Sequence, residues 1–324
     1  MRHMHFDRCE TRRLRRLIAV IGTMLVPLVA CASGGSDGSD TATGSASTVG
    51  STAPTTTAAP TTTAAPTTTA APTGAVRKLE VGATEFGFQL STNKVPAGPV
   101  ALTLVNKGSE IHQITVVRLA ESMVSDDVVS GLHKGTDTLL AGAVSVGGPN
   151  VVPPGGKGTV TVDLAAGKYV MICYVSSPRD QAAHSQKGMV APFTVEGAPP
   201  GPTPVAPATK GTITITGGGY QVPAGLTAGS YRVVNDSERT ADAALLKLRP
   251  GLTAKDVEAF FAGGLVGPLP FTMAGGTTAL SPQSSTHIDL AVTAGTYVFV
   301  AFVNKAAGGR PELIPGLLTE VTVS

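Results

Sequence analysis

Cys173, His184 and Met189 fall in one short stretch, GKYVMICYVSSPRDQAAHSQKGMVAPFTV. A thiolate, an imidazole and a thioether grouped near the end of a strand are ligand types for copper held by two His and one Cys in a trigonal set, with a weak axial Met. That set needs a second His, and NKGSEIHQITVVRL supplies His112. The chemistry such a site performs is the passage of single electrons. Each residue also has a plain structural reading. A His at a strand start is commonly a surface or hydrogen-bonded residue, and Met is a common core filler. It is the four together, in this order, that point to a metal.

Cysteine usage sharpens the point. The chain has three Cys. Residues 1–30 read as a processing segment, with a basic run at Arg12, Arg13, Arg15 and Arg16 followed by an apolar stretch from Leu17 to Ala30, short for a membrane span. It ends in Leu28-Val29-Ala30-Cys31, which resembles a bacterial lipobox, and by that resemblance cleavage precedes Cys31 and Cys31 carries lipid. Cys9 then leaves with the signal, and Cys173 is the one thiol left. A lone thiol outside the cytoplasm is either buried and inert or held by a metal.

Residues 31–76 are almost entirely Ser, Gly, Thr, Ala and Pro, with TTTAAP three times, at Thr55, Thr61 and Thr67. Such a tract has little to bury and is expected to be a disordered, semi-extended tether whose Thr residues can carry sugars. Two segments of single-domain size follow, 77–198 and 212–324, joined by a Pro/Gly-rich linker at 199–211.

The two segments read as copies. The stretch from Gly167 lies without a gap on GTYVFVAFVNKAAGGRPELIPGLLTEVTV from Gly295, and VNKGSEIHQITVVRL from Val105 lies on VNDSERTADAALLKL from Val234. In this alignment Cys173 faces Ala301, His184 faces Glu312, Met189 faces Leu317 and His112 faces Ala241. All four candidate ligands are missing from the second copy while the apolar alternation remains, as expected if they serve one shared site.

The elements that must position them are mostly strands: Val100–Val105, Ile114–Val117, Thr159–Leu164, Tyr169–Cys173 and Val190–Val195, punctuated by Gly/Pro turns. Alternation puts Tyr169, Met171 and Cys173 on one face of their strand, with Val170, Ile172 and Tyr174 on the other. One helix of about two turns is expected after Ser125 and another after Thr253, each with a capped start. Pro178 and its polar neighbours let the loop after Cys173 turn back and deliver His184. Short strands with frequent turns make each copy an all-β sandwich.

At these residues the chain resembles the cupredoxin family of blue copper proteins: an early His after an Asn turn, Gly-x-Tyr-x-x-x-Cys, a loop to His, then Gly-Met. The resemblance covers 78–196 and, more faintly, 212–324. It implies two tandem Greek-key sandwiches, with His112, Cys173 and His184 as equatorial ligands, Met189 as axial ligand, and outer-sphere electron transfer with a redox partner protein in the cell envelope. The Cys-to-His loop is longer than in the plain members, and Gln113 stands where Asn is frequent.

The sequence also excludes function classes. Much of the positive charge behind the formal net charge of +2 lies in the signal, and no basic patch alternates with aromatics, which argues against nucleic-acid binding. There is no G-x-S-x-G, H-E-x-x-H or phosphate loop. Asp126 and Asp127 read as charge at a helix start. Ile172 and Tyr174 flank Cys173, where the multicopper oxidases and nitrite reductases of the resemblance place a His, so an electron carrier is expected rather than an enzyme. His133 is expected in a polar loop and His287 on an exposed strand. The expectation is a membrane-anchored, extracytoplasmic lipoprotein with one copper in its first copy. Copper sequestration or delivery without redox duty, and a metal-free interaction module with Cys173 simply buried, stay open as alternatives.

Overall fold

A computed structural model describes residues 74–197 and 204–324. The expected signal and lipidated Cys31 lie outside the described residues, as do the tether up to residue 73 and part of the linker, 198–203. No helix among the described residues is long and apolar enough to cross a membrane.

The first copy runs β1 (Arg77–Thr84), β2 (Gly87–Leu90), β3 (Lys94–Pro96), β4 (Gly98–Asn106), β5 (Thr115–Arg118), α1 (Ser125–His133), β6 (Val144–Ser145), β7 (Lys157–Leu164), β8 (Gly167–Ile172) and β9 (Val190–Glu196). The second runs β10 (Thr212–Thr216), β11 (Gly219–Gln221), β12 (Gly229–Asn235), β13 (Ala241–Leu248), α2 (Ala254–Ala262), β14 (Phe271–Leu280), β15 (Ser285–Leu290), β16 (Gly295–Phe302) and β17 (Leu313–Val323). Two short 3₁₀ turns, Thr138–Leu140 and His184–Lys187, complete the first copy.

The architecture is all-β sandwich with one short α-helix in each copy. Three sheets build it, ordered β3-β9-β8-β5-β6, β14-β13-β16-β17 and β11-β10-β12-β15-β7-β4-β1-β2. The eight-stranded sheet belongs to both copies, joined where β15 pairs antiparallel with β7, His287 opposite Thr161. These two residues are equivalent in the repeat, each lying two before an Asp-Leu pair, so the copies meet about a local two-fold. The tandem sandwiches are thus fused through one sheet, and the described residues form one compact unit. The fusion also covers His287, which is half-buried rather than exposed because it sits at this seam.

Period-2 alternation explains the layers. In β8, Tyr169 and Met171, with Cys173 just beyond the strand, join the core shared by the facing sheets. Val170 and Ile172 face the other way and pack with Val128 and Leu132 of α1. Burying Leu-sized side chains in this manner is worth about 1.5–3 kcal/mol each. The helix starts differ from expectation. α1 begins at Val124 with no side-chain cap, so Ser125 does not cap it. At α2, Thr253 and Asp256 close reciprocally, Asp256 Oδ2 accepting the Thr253 N–H at 2.7 Å. His133 is the exposed last residue of α1, not a loop residue.

Candidate metal centre

β8 delivers Cys173 one residue past its last ladder pair, Ile172–Val190, so its side chain stays on the core face while the chain is free to turn. The loop that follows is stitched to itself: Ser177 N–H donates to Ala182 O (2.9 Å) and His184 N–H to Val175 O (2.8 Å). Ser185 N–H returns to Cys173 O (3.0 Å), Met189 N–H donates to His184 O (2.9 Å) and Cys173 N–H to Met189 O (3.2 Å). His112 arrives from the other side, on a bridge to Val152 ahead of β5. Asn106 fixes that turn. Its Oδ1 accepts Gly108 N–H at 2.9 Å, and its Nδ2 donates to Glu110 O and Val152 O at 2.8 and 2.9 Å.

These elements bring three donors to one point. His112 Nδ1 lies 3.1 Å from His184 Nδ1, which lies 3.5 Å from Cys173 Sγ. Two bonds of about 2.0–2.3 Å meeting at one ion separate their donors by about that much. All three residues are fully buried. Met189 is fully buried too, in the core that holds Cys173, with its backbone bonded to both Cys173 and His184.

Two carboxyl groups that the sequence reading did not single out lie behind the imidazoles. Glu110 Oε2 accepts from His184 Nε2–H at 3.0 Å, and Glu110 Oε1 accepts from Ser177 Oγ at 3.1 Å. Glu85 Oε1 sits 3.6 Å from His112 Nε2, an ion-pair separation too long for a hydrogen bond, which leaves that nitrogen buried without a partner. Glu85 itself accepts the backbone N–H of Ser109 and, at 2.7 Å, of Glu110. The Glu110 N–H bond is the largest of the influences that hold the Glu85 carboxyl down at about 2. Gly108 admits this packing: a Cβ there would lie 2.9 Å from His112 Nε2. Phe86 covers His184, ring centroids 4.9 Å apart.

The Glu110 bond fixes the His184 proton on Nε2 and leaves Nδ1 as a lone-pair donor facing the cluster, an arrangement typical of metal-ligating His. Burial holds both imidazoles below their usual pKa, so they are neutral and ligand-ready at pH 7. Burial pushes the Cys173 thiol up to about 12, against the backbone N–H groups of Gln113 and Val175. A cation bound at the three donors would stabilise the thiolate that burial disfavours. The set therefore fits a soft divalent or monovalent metal, and two His, one Cys and a buried thioether fit copper. The sandwich and this donor set answer together.

The fold is cupredoxin-like.

No family model matches, and no curated protein matches. Among solved structures, the reduced auracyanin of Roseiflexus castenholzii is 25% identical over 38% of this chain and 99% of its own, with a TM-score of 0.27. Auracyanin A of Chloroflexus aurantiacus, titled a "blue" copper protein, is 21% identical over 38% of this chain and 100% of its own, TM-score 0.27. A multicopper oxidase is 15% identical over 77% of this chain and 89% of its own, TM-score 0.23.

The cupredoxin-like centre is also braced by the second copy. Gly309 N–H donates to Gln181 O at 2.8 Å within the ligand loop. Gln113, whose position drew notice in the sequence, directs its side chain toward Asn304 Oδ1 at 3.4 Å, while Asn304 Nδ2 donates to Asp242 at 3.0 Å.

Proposed function

We propose that this chain is a one-electron carrier with a single type 1 copper held by His112, Cys173 and His184, with Met189 as the weak axial ligand. The carrying observation is the buried convergence of two imidazole Nδ1 atoms and one thiol, each His set by a carboxyl group on its far side. Copper bound there supplies reversible one-electron chemistry. The protein's part is to hold the donors apart at fixed distances, so that little rearrangement accompanies a change of charge, and to keep water out. Glu110 keeps the His184 ring proton on its outer nitrogen, and Glu85 places a negative charge 3.6 Å from the outer nitrogen of His112. The loop bonds from Cys173 to Met189 prevent the ligands from spreading.

The lipobox-like Cys31 supports anchoring at the outer face of a membrane, with the Thr/Pro tract as the reach toward a protein redox partner. The second copy serves as a brace rather than a second centre.

Cu(II) titration of the full soluble chain from residue 32, followed by visible absorption, tests the reading. An intense thiolate-to-copper band that saturates at one equivalent and cycles with a mild reductant is expected. A protein that takes up copper without that band, or that cannot be reduced and reoxidised, overturns electron transfer in favour of sequestration.

A further inference from the structure

The two copies flank a half-open cavity of about 450 Å³ that the metal centre does not use. One wall is aromatic, from the second copy: Phe261 lies parallel to Phe271 (centroids 6.1 Å, 4° between planes) and 5.6 Å from Phe302. Tyr174 and Val175 of the first copy, the two residues after Cys173, also line it. The mouth is ringed by exposed apolar side chains, Ile111 at 43%, Leu269 at 52% and Val303 at 37%. No carboxylate lines the cavity, and two cations do, Lys305 and Arg310. Lys305 is neutralised by Glu312 at 2.6 Å. Arg310, exposed at the rim, gives one N–H to Gly264 O at 3.1 Å and forms no ion pair among the described residues, so most of its five donors face solvent and are open to a ligand.

We propose that this cavity binds a small planar aromatic molecule bearing an anionic oxygen, its rings against the Phe261 face and its oxygen on Arg310. The size is that of a small-molecule site, and mostly apolar walls with a few polar groups, here Gln113, Ser176, Asn304, Lys305 and Arg310, are how such sites orient a ligand. An aromatic ring gains from the aromatic wall by offset or edge contacts, and a carboxylate matches the guanidinium fork. The site does not depend on copper, so it stands or falls separately from the metal centre.

The chain has no Trp, so the anisotropy of a fluorescent aromatic acid is read without indole background. The probe is 2-naphthoate, titrated with the full soluble chain in metal-free form, beside its neutral methyl ester. Saturable one-site binding is expected. Arg310→Gln weakens naphthoate about tenfold or more, the scale of a charge-assisted hydrogen-bond pair, and leaves the ester within about twofold. Leu269→Glu, at an exposed rim position, weakens naphthoate by a similar factor by placing a like charge at the mouth, with the thermal midpoint unchanged. No saturable binding to the parent chain overturns the proposal. So does equal naphthoate binding by the parent and both variants, which places the probe elsewhere.

Discussion

The ligand loop of the first copy and its counterpart in the second start from the same ladder and part at one residue. In the first, β8 and β9 stop pairing at Ile172–Val190, and everything from Cys173 to Met189 leaves the sheet to wrap the donors. In the second, the equivalent pair is Val300–Leu318, but after a register shift β16 and β17 pair again at Phe302–Leu313. The ladder closes where the first copy opens. Ala241, Ala301 and Leu317, standing where His112, Cys173 and Met189 stand, are buried as ordinary core, and Glu312 is an exposed partner of Lys305. The turn before the site is kept in both: Asn235 accepts Ser237 N–H and donates to Arg239 O and Leu280 O, as Asn106 does with its own neighbours. A sheet that finds enough partners zips shut. A site needs a stretch of chain whose hydrogen bonds are satisfied outside the ladder, and the loop bonds of the first copy do this.

The largest effect that tests this contrast is all-or-none. Cys173→Ser removes the thiolate and is expected to abolish the visible band and strong copper uptake, whereas Ala301→Ser, at the equivalent position, leaves both intact. A band surviving Cys173→Ser sinks the contrast. Acidity adds a second arm. With the Cys173 thiol pushed up to about 12, copper binding near neutral pH must release that proton, so apparent affinity is expected to rise about tenfold per pH unit from pH 6.5 to 8. Pairing titrations in buffers of different ionisation enthalpy reads the released proton directly. Uptake with no proton release means Cys173 is not the ligand.

The second copy has its own buried ionisable group, and its effect is on stability. Burial raises Asp242 from 3.8 to about 7, against the hydrogen bond from Asn304. Below about pH 4 the group is protonated folded and unfolded alike. Between about 4 and 7 the unfolded chain gives up a proton that the folded chain keeps, so this stabilising contribution is lost as pH rises through about 7. The full swing is on the order of 4 kcal/mol. Asp242→Asn keeps an oxygen for Asn304 and is expected to flatten that slope and stabilise the chain at pH 8, by a few kcal/mol in urea unfolding. An unchanged pH slope in this variant shows that Asp242 ionises freely when folded.

The sequence made the strands, the sandwich class and the ligand types visible because each is a local pattern: alternation, turn residues, a Cys and a His on one loop. What lay hidden is non-local. Glu110 meets His184 and Glu85 meets His112 across long sequence separations, and nothing in Thr84-Glu85-Phe86 announces a ligand's neighbour. The fused sheet was equally silent, since β7 and β15 read as ordinary half-buried strands whichever strand they pair with. His287 was misplaced for that reason. α1 starts without a side-chain cap because its fixing contacts are tertiary, Val128 and Leu132 against β8.

The smallest expected effect concerns how far the second copy shapes the first. Gly308 adopts φ +74°, and a Cβ there would run into the carbonyl of Gln181 and sit 2.6 Å from Ala183 N, both in the ligand loop. Gly155 has nearly the same φ, +73°, with nothing within 4 Å of a Cβ. Alanine at either position costs left-handed backbone strain of about 1–2 kcal/mol. Only at Gly308 does it also push on the chain that carries His184. Gly308→Ala is therefore expected to lose about 1 kcal/mol more than Gly155→Ala in urea unfolding, and to shift or broaden the copper band, which Gly155→Ala leaves as in the parent. Equal losses and identical spectra would show that the brace is in contact with the loop without holding it. The second copy would then owe its place to the shared sheet, through β15 and β7, and to the hydrogen bonds between residues 145–150 and β14.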